Sequence, residues 1–367
     1  MVVGLLKEVK KEEYRVGLTP GAAGDYVRHG HRVLVEKESG QGSGFSDADY
    51  QQHGCEMVDR DAIYSASEMI VKVKEPQIEE YSYYREGQIL FTYLHLAANR
   101  ELTSFLLDKR ITGIAYETVM ESDGTLPLLK PMSEIAGRLS IQEGAKYLEK
   151  TFGGRGILLG GVPGIRRGKI VILGGGVVGR NACKIAVGLG AEVTILDISA
   201  RRLEYLDDVF GSSITTLYST KTNVLESLRE ADVVIGAVLL PGRAAPKLVH
   251  REDLELMKNG AVVVDVAVDQ GGCFETTKPT SHSDPIYIVD DVVHYCVANM
   301  PGVVALSSTY ALTSVTNRYG LQIADYGLEE AVGQSKALSF GVNTYNGMVT
   351  NEAVAGSFGM KYTPLSF

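Results

Sequence analysis

KIVILGGGVVGRNACKIAVGLGAEVTILD, residues 169–197, decides the fold. The apolar run Ile170–Leu173 reads as a buried strand. Gly174, Gly176 and Gly179 follow in G-x-G-x-x-G spacing, with Val177 and Val178 between them. Arg180–Leu189 reads as a helix, Glu192–Leu196 as a second strand, and Asp197 closes the unit. The first glycine permits a tight turn, the second lets backbone approach a pyrophosphate, and the third lets helix pack on strand. The helix N-terminus offers unpaired N–H groups to phosphate. These spacings make Gly174, Gly176, Val177, Val178 and Gly179 dinucleotide-binding candidates. A carboxylate at the end of the second strand can accept hydrogen bonds from a ribose diol. Asp197 favours NAD over NADP, because it would repel a 2′-phosphate. Arg201 and Arg202 close by soften that preference.

Outward from this stretch, the totals set bounds. The chain has 367 residues, enough for two domains. A net charge of −9 disfavours nucleic acid and anionic membrane as partners. No apolar stretch approaches the roughly 20 residues that span a bilayer, and MVVGLLKEVKKEE lacks the apolar core of a signal peptide. Cys55, Cys183, Cys273 and Cys296 are scattered, which suits a reducing cytoplasm and carries no metal signature.

Upstream, strands are expected over residues 1–6, His31–Glu36, Glu68–Val73, Gln88–Leu94 and Ile111–Tyr116. Helices are expected from Thr19-Pro20 to near Gly30, over Ser46–His53 and over Arg100–Leu107. This alternation implies a parallel sheet covered by helices. Lys74, His95 and Glu117 fall at or just past carboxyl ends of strands, where open α/β sheets bind ligands. By position alone Lys74 also reads as a solvated loop charge, and His95 as a packed histidine.

Downstream, strands near Ile214–Tyr218, Asp232–Ala237, Ala261–Val266 and Ile286–Val289 bring the dinucleotide domain to six. Gly341–Phe367 reads as short helical pieces. The expected fold class is α/β with two domains. A central Rossmann NAD-binding domain, residues 131–305, is inserted in a second doubly wound parallel domain, residues 1–130 plus 306–367. Helices near 131–150 and 305–320 would link them, and the cleft between domains is the default substrate site.

Several blocks resemble the bacterial L-alanine dehydrogenases: KEVKKEEYRVGLTP (7–20), VKVKEP (71–76), YLHLAA (93–98), AYETV (115–119), KPMSEIAGRLS (130–140), GAVLLPGRAAPKLV (236–249), VVVDVAVDQGGCFETTKPTSH (262–282) and VVHYCVANMPG (292–302). The same superfamily includes the nucleotide-binding subunit of proton-translocating transhydrogenase, which is the alternative reading. The resemblance implies reversible oxidative deamination of L-alanine to pyruvate and ammonium. It implies that Arg15 and Lys74 hold the carboxylate and carbonyl oxygens of pyruvate, that His95 is the acid–base group, and that Asp269 is a second catalytic carboxylate beside the nicotinamide. Met132 and Ser133 would contact substrate or cofactor. Ser219, Val238, Leu239, Asn299 and Met300 would line the NAD site. A homo-oligomer, commonly a hexamer, is implied as well. The glycine-rich stretch Gly153–Arg167 could serve as its arm.

Overall fold

Short apolar runs become strands, and glycine follows several of the intervening helices, as at Gly30, Gly54, Gly190 and Gly211. The computed structural model describes residues 1–238 and 245–366. It divides into two compact units, Met1–Met132 with Gly302–Phe367, and Ser133–Pro301.

The first unit starts with β1 (Val2–Leu5), β2 (Arg32–Glu36), β3 (Glu56–Val58), β4 (Met69–Val71), β5 (Ile89–Thr92) and β6 (Thr112–Ala115). All six pair in parallel in the order β3-β2-β1-β4-β5-β6. Parallel strands need helical crossovers, which bury both faces of the sheet, so β4 and β6 are buried at every residue. The first crossover helix, Pro20–Arg28, begins as its sequence dictates. Thr19 Oγ1 accepts the Ala22 N–H at 3.2 Å and Pro20 occupies the first turn. At Asp47–Gln52, Ser46 and Asp49 form a reciprocal capping box.

The second unit is built on β7 (Lys169–Leu173), β8 (Glu192–Asp197), β9 (Ile214–Tyr218), β10 (Val233–Gly236), β11 (Val262–Asp265), β12 (Ile286–Val289) and β13 (Val292–Tyr295), in the order β12-β13-β11-β10-β7-β8-β9. Its core packs Val171, Leu173, Leu196, Leu228, Val234, Val263 and Phe274. Here the structure corrects the strand count. The sixth parallel strand is β13, paired with β11, whereas Ile286–Val289 is a seventh, antiparallel edge strand. His294 masks β13 in the sequence. Its imidazole is fully buried, within 2.8 Å of Thr276 Oγ1 and 2.9 Å of the Val292 carbonyl.

The chain then returns to the first unit through the helix Ala305–Tyr326. The C-terminal segment is not wholly helical: β14 (Val342–Tyr345) and β15 (Met348–Val349) extend the first sheet antiparallel beyond β6. Thr344 explains why a polar run forms a strand here. Its hydroxyl accepts the Gly113 N–H and donates to the Ile111 carbonyl, both at 2.9 Å.

In each sheet the chain reverses its direction of winding at one place, between β1 and β4 in the first unit and between β7 and β10 in the second. Loops leaving the carboxyl ends of such neighbours diverge to opposite faces and open a crevice.

Candidate active site

In the second unit that place is filled by the glycine turn. Gly174 has φ +103°, a left-handed conformation that favours glycine, and a Cβ there would lie 2.8 Å from the Ala237 carbonyl oxygen beyond β10. A Cβ on Gly179 would sit 1.8 Å from the Gly174 carbonyl oxygen. Above Gly176 the space is open, with nothing within 4 Å of an added Cβ. Gly176 starts the helix Val177–Gly188, and no side chain caps it. The first-turn N–H groups, with Val177 and Val178 among the first helical residues, are thus left for an anion. Asp197 Oδ2 accepts the Gly175 N–H at 2.7 Å and Oδ1 accepts the Ser199 N–H at 2.8 Å. Each oxygen keeps a further lone pair for a diol. An uncapped helix, an open glycine and an oriented carboxylate fit a dinucleotide.

The remaining candidates of this unit lie just past strand ends. Ser219 follows β9, and its N–H donates to the Asp197 carbonyl at 3.0 Å. Val238 follows β10, and its carbonyl faces Cys273 Sγ at 3.9 Å. Asn299 and buried Met300 follow β13. Asn299 takes φ +62°, and its carbonyl lies 3.2 Å from His282 Nε2. Ser133 sits half-buried in the helix Lys130–Tyr147. Leu239 lies outside the described residues. Asp269 is exposed on a turn that follows β11.

Sequence reasoning missed what holds that turn, the fully buried Asp265. It accepts Ala267 N–H (3.1 Å), Cys273 N–H (2.9 Å) and Thr277 Oγ–H (2.6 Å). Burial raises its carboxyl above the ordinary range in spite of these bonds. Its signal was legible as a carboxylate closing VVVD.

In the first unit, β1 and β4 deliver the cationic groups. Arg15, on the loop after β1, is 2% exposed. Its Nε donates to Glu13 Oε1 at 2.7 Å, its Nη2 to Glu13 Oε2 at 2.5 Å, and its Nη1 lies 3.0 Å from Met132 Sδ. The two-point grip expected for a ligand carboxylate is made in this structure with Glu13. Burial opposes the Arg15 charge, but Glu13 overturns that, and its pKa stands above the ordinary arginine value. Lys74 follows β4. Burial and the Arg15 charge hold its ammonium below the usual lysine pKa.

His95, past β5, takes a left-handed backbone at φ +49°. Glu117, past β6, imposes it: Oε1 accepts the His95 N–H at 2.6 Å, and the Leu94 N–H lies 3.3 Å from both oxygens. The same oxygen lies 4.0 Å from His95 Nδ1. The imidazole stacks on Tyr93, ring centroids 5.9 Å apart and planes 7° from parallel. It is half exposed, open to exchange a proton. Glu117, flagged by position alone, therefore orients the histidine.

Behind these groups lies a buried ionic cluster that the sequence hid. Lys72 is fully buried. It hydrogen-bonds Glu80 Oε1, which also accepts Tyr64 Oη–H at 3.0 Å, and sits 3.7 Å from Glu8 Oε2. Lys72→Met would leave Glu8 and Glu80 without their shared cation. It is expected to destabilise the first unit by about 3–5 kcal/mol, read as an earlier urea transition. A loss under about 1 kcal/mol would mean the cluster is not held by that charge.

Fold and site define a class: a two-unit α/β protein with a dinucleotide cradle in one unit and a cationic, histidine-bearing strand edge in the other. The model of the alanine dehydrogenase/PNT N-terminal domain matches residues 4–136, and that of the C-terminal domain residues 140–352. An alanine dehydrogenase of Methanococcus maripaludis is 54% identical over 99% of this chain and 98% of its own length. Alanine dehydrogenase 2 of Staphylococcus aureus is 52% identical over the same shares. Among solved structures, an L-alanine dehydrogenase superposes with TM-score 0.95 at 51% identity, covering 98% of this chain and 99% of that one. A transhydrogenase from Sinorhizobium meliloti reaches 0.82 at 26% identity, covering 96% and 100%. The chain belongs to the alanine dehydrogenase/PNT family. Because the first of these relatives is archaeal, the likeness is not confined to bacterial members.

Proposed function

We propose that the chain is an NAD-dependent L-alanine dehydrogenase that interconverts L-alanine with pyruvate and ammonium. The observation that carries this reading is the assembly of Arg15, Lys74 and His95 at the carboxyl edge of one sheet, in a chain more than half identical to alanine dehydrogenases from end to end.

NAD, when bound, supplies the hydride acceptor. The chain's own groups do the rest. Arg15 and Lys74 set the positive charge that draws the substrate carboxylate and polarises the keto oxygen. The lowered Lys74 pKa makes its ammonium a readier proton donor. Loss of hydride from alanine leaves an iminium, water adds to it, and ammonia leaves. His95, held by Glu117 and open to solvent, takes and returns the proton at the oxygen of that adduct. Asp269 supplies a negative charge that favours the cationic amine and iminium. Gly174, Gly176, Gly179 and the helix start would hold the pyrophosphate, and Asp197 would hold the adenosine ribose.

The direct test is purified protein with pyruvate, ammonium and NADH. NADH absorbance should fall. No loss, with glyoxylate equally inert, would refute the reading. Turnover of alanine by the isolated chain also separates it from the transhydrogenase reading, in which the chain docks to a membrane partner and passes hydride between two nucleotides. That alternative rests on a fold likeness at 26% identity, against 51% for the alanine dehydrogenase.

Asp197→Ala should raise the NADH dissociation constant by about 10–100-fold, the worth of a charged hydrogen bond, and erase discrimination against NADPH. Titration of both nucleotides by fluorescence measures it. Tighter binding of NADPH than NADH by the wild type would remove Asp197 from this role.

The family resemblance further supports a homohexamer. Leu158, Val162 and Ile165 are exposed in the Gly153–Arg167 stretch and offer apolar surface for a neighbouring copy. Light scattering decides it. Cytoplasmic residence is supported by four free, buried cysteines. Among the described residues no helix is long and apolar enough to cross a membrane.

A further inference from the structure

Glu8 is not used by the mechanism above, yet it touches it. It lies three residues past β1, at the place where the first sheet reverses its winding. Its carboxylate is 2% exposed. Oε1 accepts the Val73 N–H at 2.6 Å and lies 3.3 Å from the Lys74 N–H, tying the Lys74 loop to the end of β1. Oε2 is buried, has no hydrogen-bond partner, and stands 3.7 Å from Lys72 Nζ.

Charged neighbours reach Glu8 from three places. Lys72 comes from the end of β4, Glu80 from the turn Ile78–Glu80, and Glu13 with Arg15 from its own loop. The phenols of Tyr84 and Tyr116 also feel its charge, and burial keeps both neutral. With Lys74, the cluster holds three carboxylates, Glu8, Glu13 and Glu80, and three cations, Lys72, Arg15 and Lys74, and the Lys10–Glu75 pair beside Lys74 adds no net charge. It is balanced as it stands. A substrate carboxylate beside Arg15 and Lys74 adds a fourth negative charge in a region that water screens poorly.

We propose that Glu8 takes up a proton when pyruvate binds, restoring the charge balance while it continues to hold Lys74 in place. The proposal rests on the dehydrogenase reading. The proton comes from solvent and goes to Oε2, the oxygen without a partner, so Oε1 keeps accepting the backbone N–H groups. No bond in the substrate is made or broken. Glu8 acts through Lys74 and is a positioning residue.

Burial, opposed by Lys72, places the Glu8 carboxyl at about 7, against 4.5 for an ordinary glutamate. At about pH 8 it is therefore mostly ionised before binding, and an added anion raises its proton affinity further. Alanine carries its own ammonium, so the uptake belongs to pyruvate.

The experiment is calorimetric titration of pyruvate into the protein saturated with NADH, without ammonium, at about pH 8, in two buffers of different ionisation enthalpy. The wild type should absorb close to one proton per pyruvate beyond the amount absorbed by Glu8→Gln. Gln keeps an oxygen for Val73 and cannot titrate. The wild-type pyruvate KM should climb by up to about tenfold per pH unit above about 7, and that component should be missing in Glu8→Gln. A merely structural role would lower stability or kcat without changing proton counts. Equal proton uptake in the two proteins overturns the inference and leaves the dehydrogenase reading intact. No pyruvate binding by the wild type overturns both. If Glu8→Gln does not fold, infrared difference spectra of the wild type with 13C-labelled pyruvate decide instead. A new buried carboxylic-acid C=O band supports the proposal, and its absence overturns it.

Discussion

His95→Ala is expected to lower kcat for pyruvate amination by about 10²–10⁴-fold, the usual worth of a positioned acid–base group. NADH binding should stay within about twofold, because the glycine turn and Asp197 lie in the other unit. The effect should be chemical rather than structural, since the imidazole is half exposed and fills no core position. The backbone is the one complication. His95 sits at φ +49°, where histidine, asparagine and aspartate are tolerated better than most residues. His95→Asn keeps that conformation without the proton chemistry, so it should be as inactive as the alanine variant and more stable. Single-turnover rates with NADH, pyruvate and ammonium measure the chemical step. A variant retaining more than about a tenth of the wild-type rate would take His95 out of proton transfer. Asp269→Ala should give a loss of the same order, with its turn still held by Asp265.

The second large effect lies in the glycine turn, where two glycines should respond differently. A Cβ on Gly179 would meet the Gly174 carbonyl oxygen at 1.8 Å, and backbone cannot yield there without moving the turn. Gly179→Ala is expected to destabilise the second unit by about 3 kcal/mol and weaken NADH binding by about 100-fold. A Cβ on Gly176 meets nothing within 4 Å, and its φ of −66° suits alanine. Gly176→Ala should therefore leave the melting temperature unchanged and still weaken NADH, because its methyl group enters the space the pyrophosphate needs. Thermal melts with and without NADH separate the two. If Gly176→Ala binds NADH like the wild type, the open space above that glycine does not hold the phosphates.

Much of this arrangement is local and was legible as such. A strand, a glycine turn, a helix and a second strand follow one another within residues 169–197, and period and turn chemistry report such neighbours faithfully. The strand ends at Lys74, His95 and Glu117 were legible for the same reason, since an apolar run states where it stops. The short strand β3 escaped, and so did two strands that carry polar residues and are held by distant partners. β13 contains His294, whose burial depends on Thr276, and β14 is stitched to β6 through Thr344, more than 200 residues from Gly113.

The amino-acid order by itself determined the dinucleotide cradle, the α/β alternation and the chemical types placed at the sheet edges, because each is set by residues close in sequence. Tertiary structure alone decided how those types are charged and aimed. Glu117 turns His95 into a left-handed backbone, and Glu8 reaches across 65 residues to the Val73 N–H. Spacing carries no trace of these partners. A carboxylate's role depends on burial and on what faces it, and both arise only when strands remote in the chain become neighbours in the sheet.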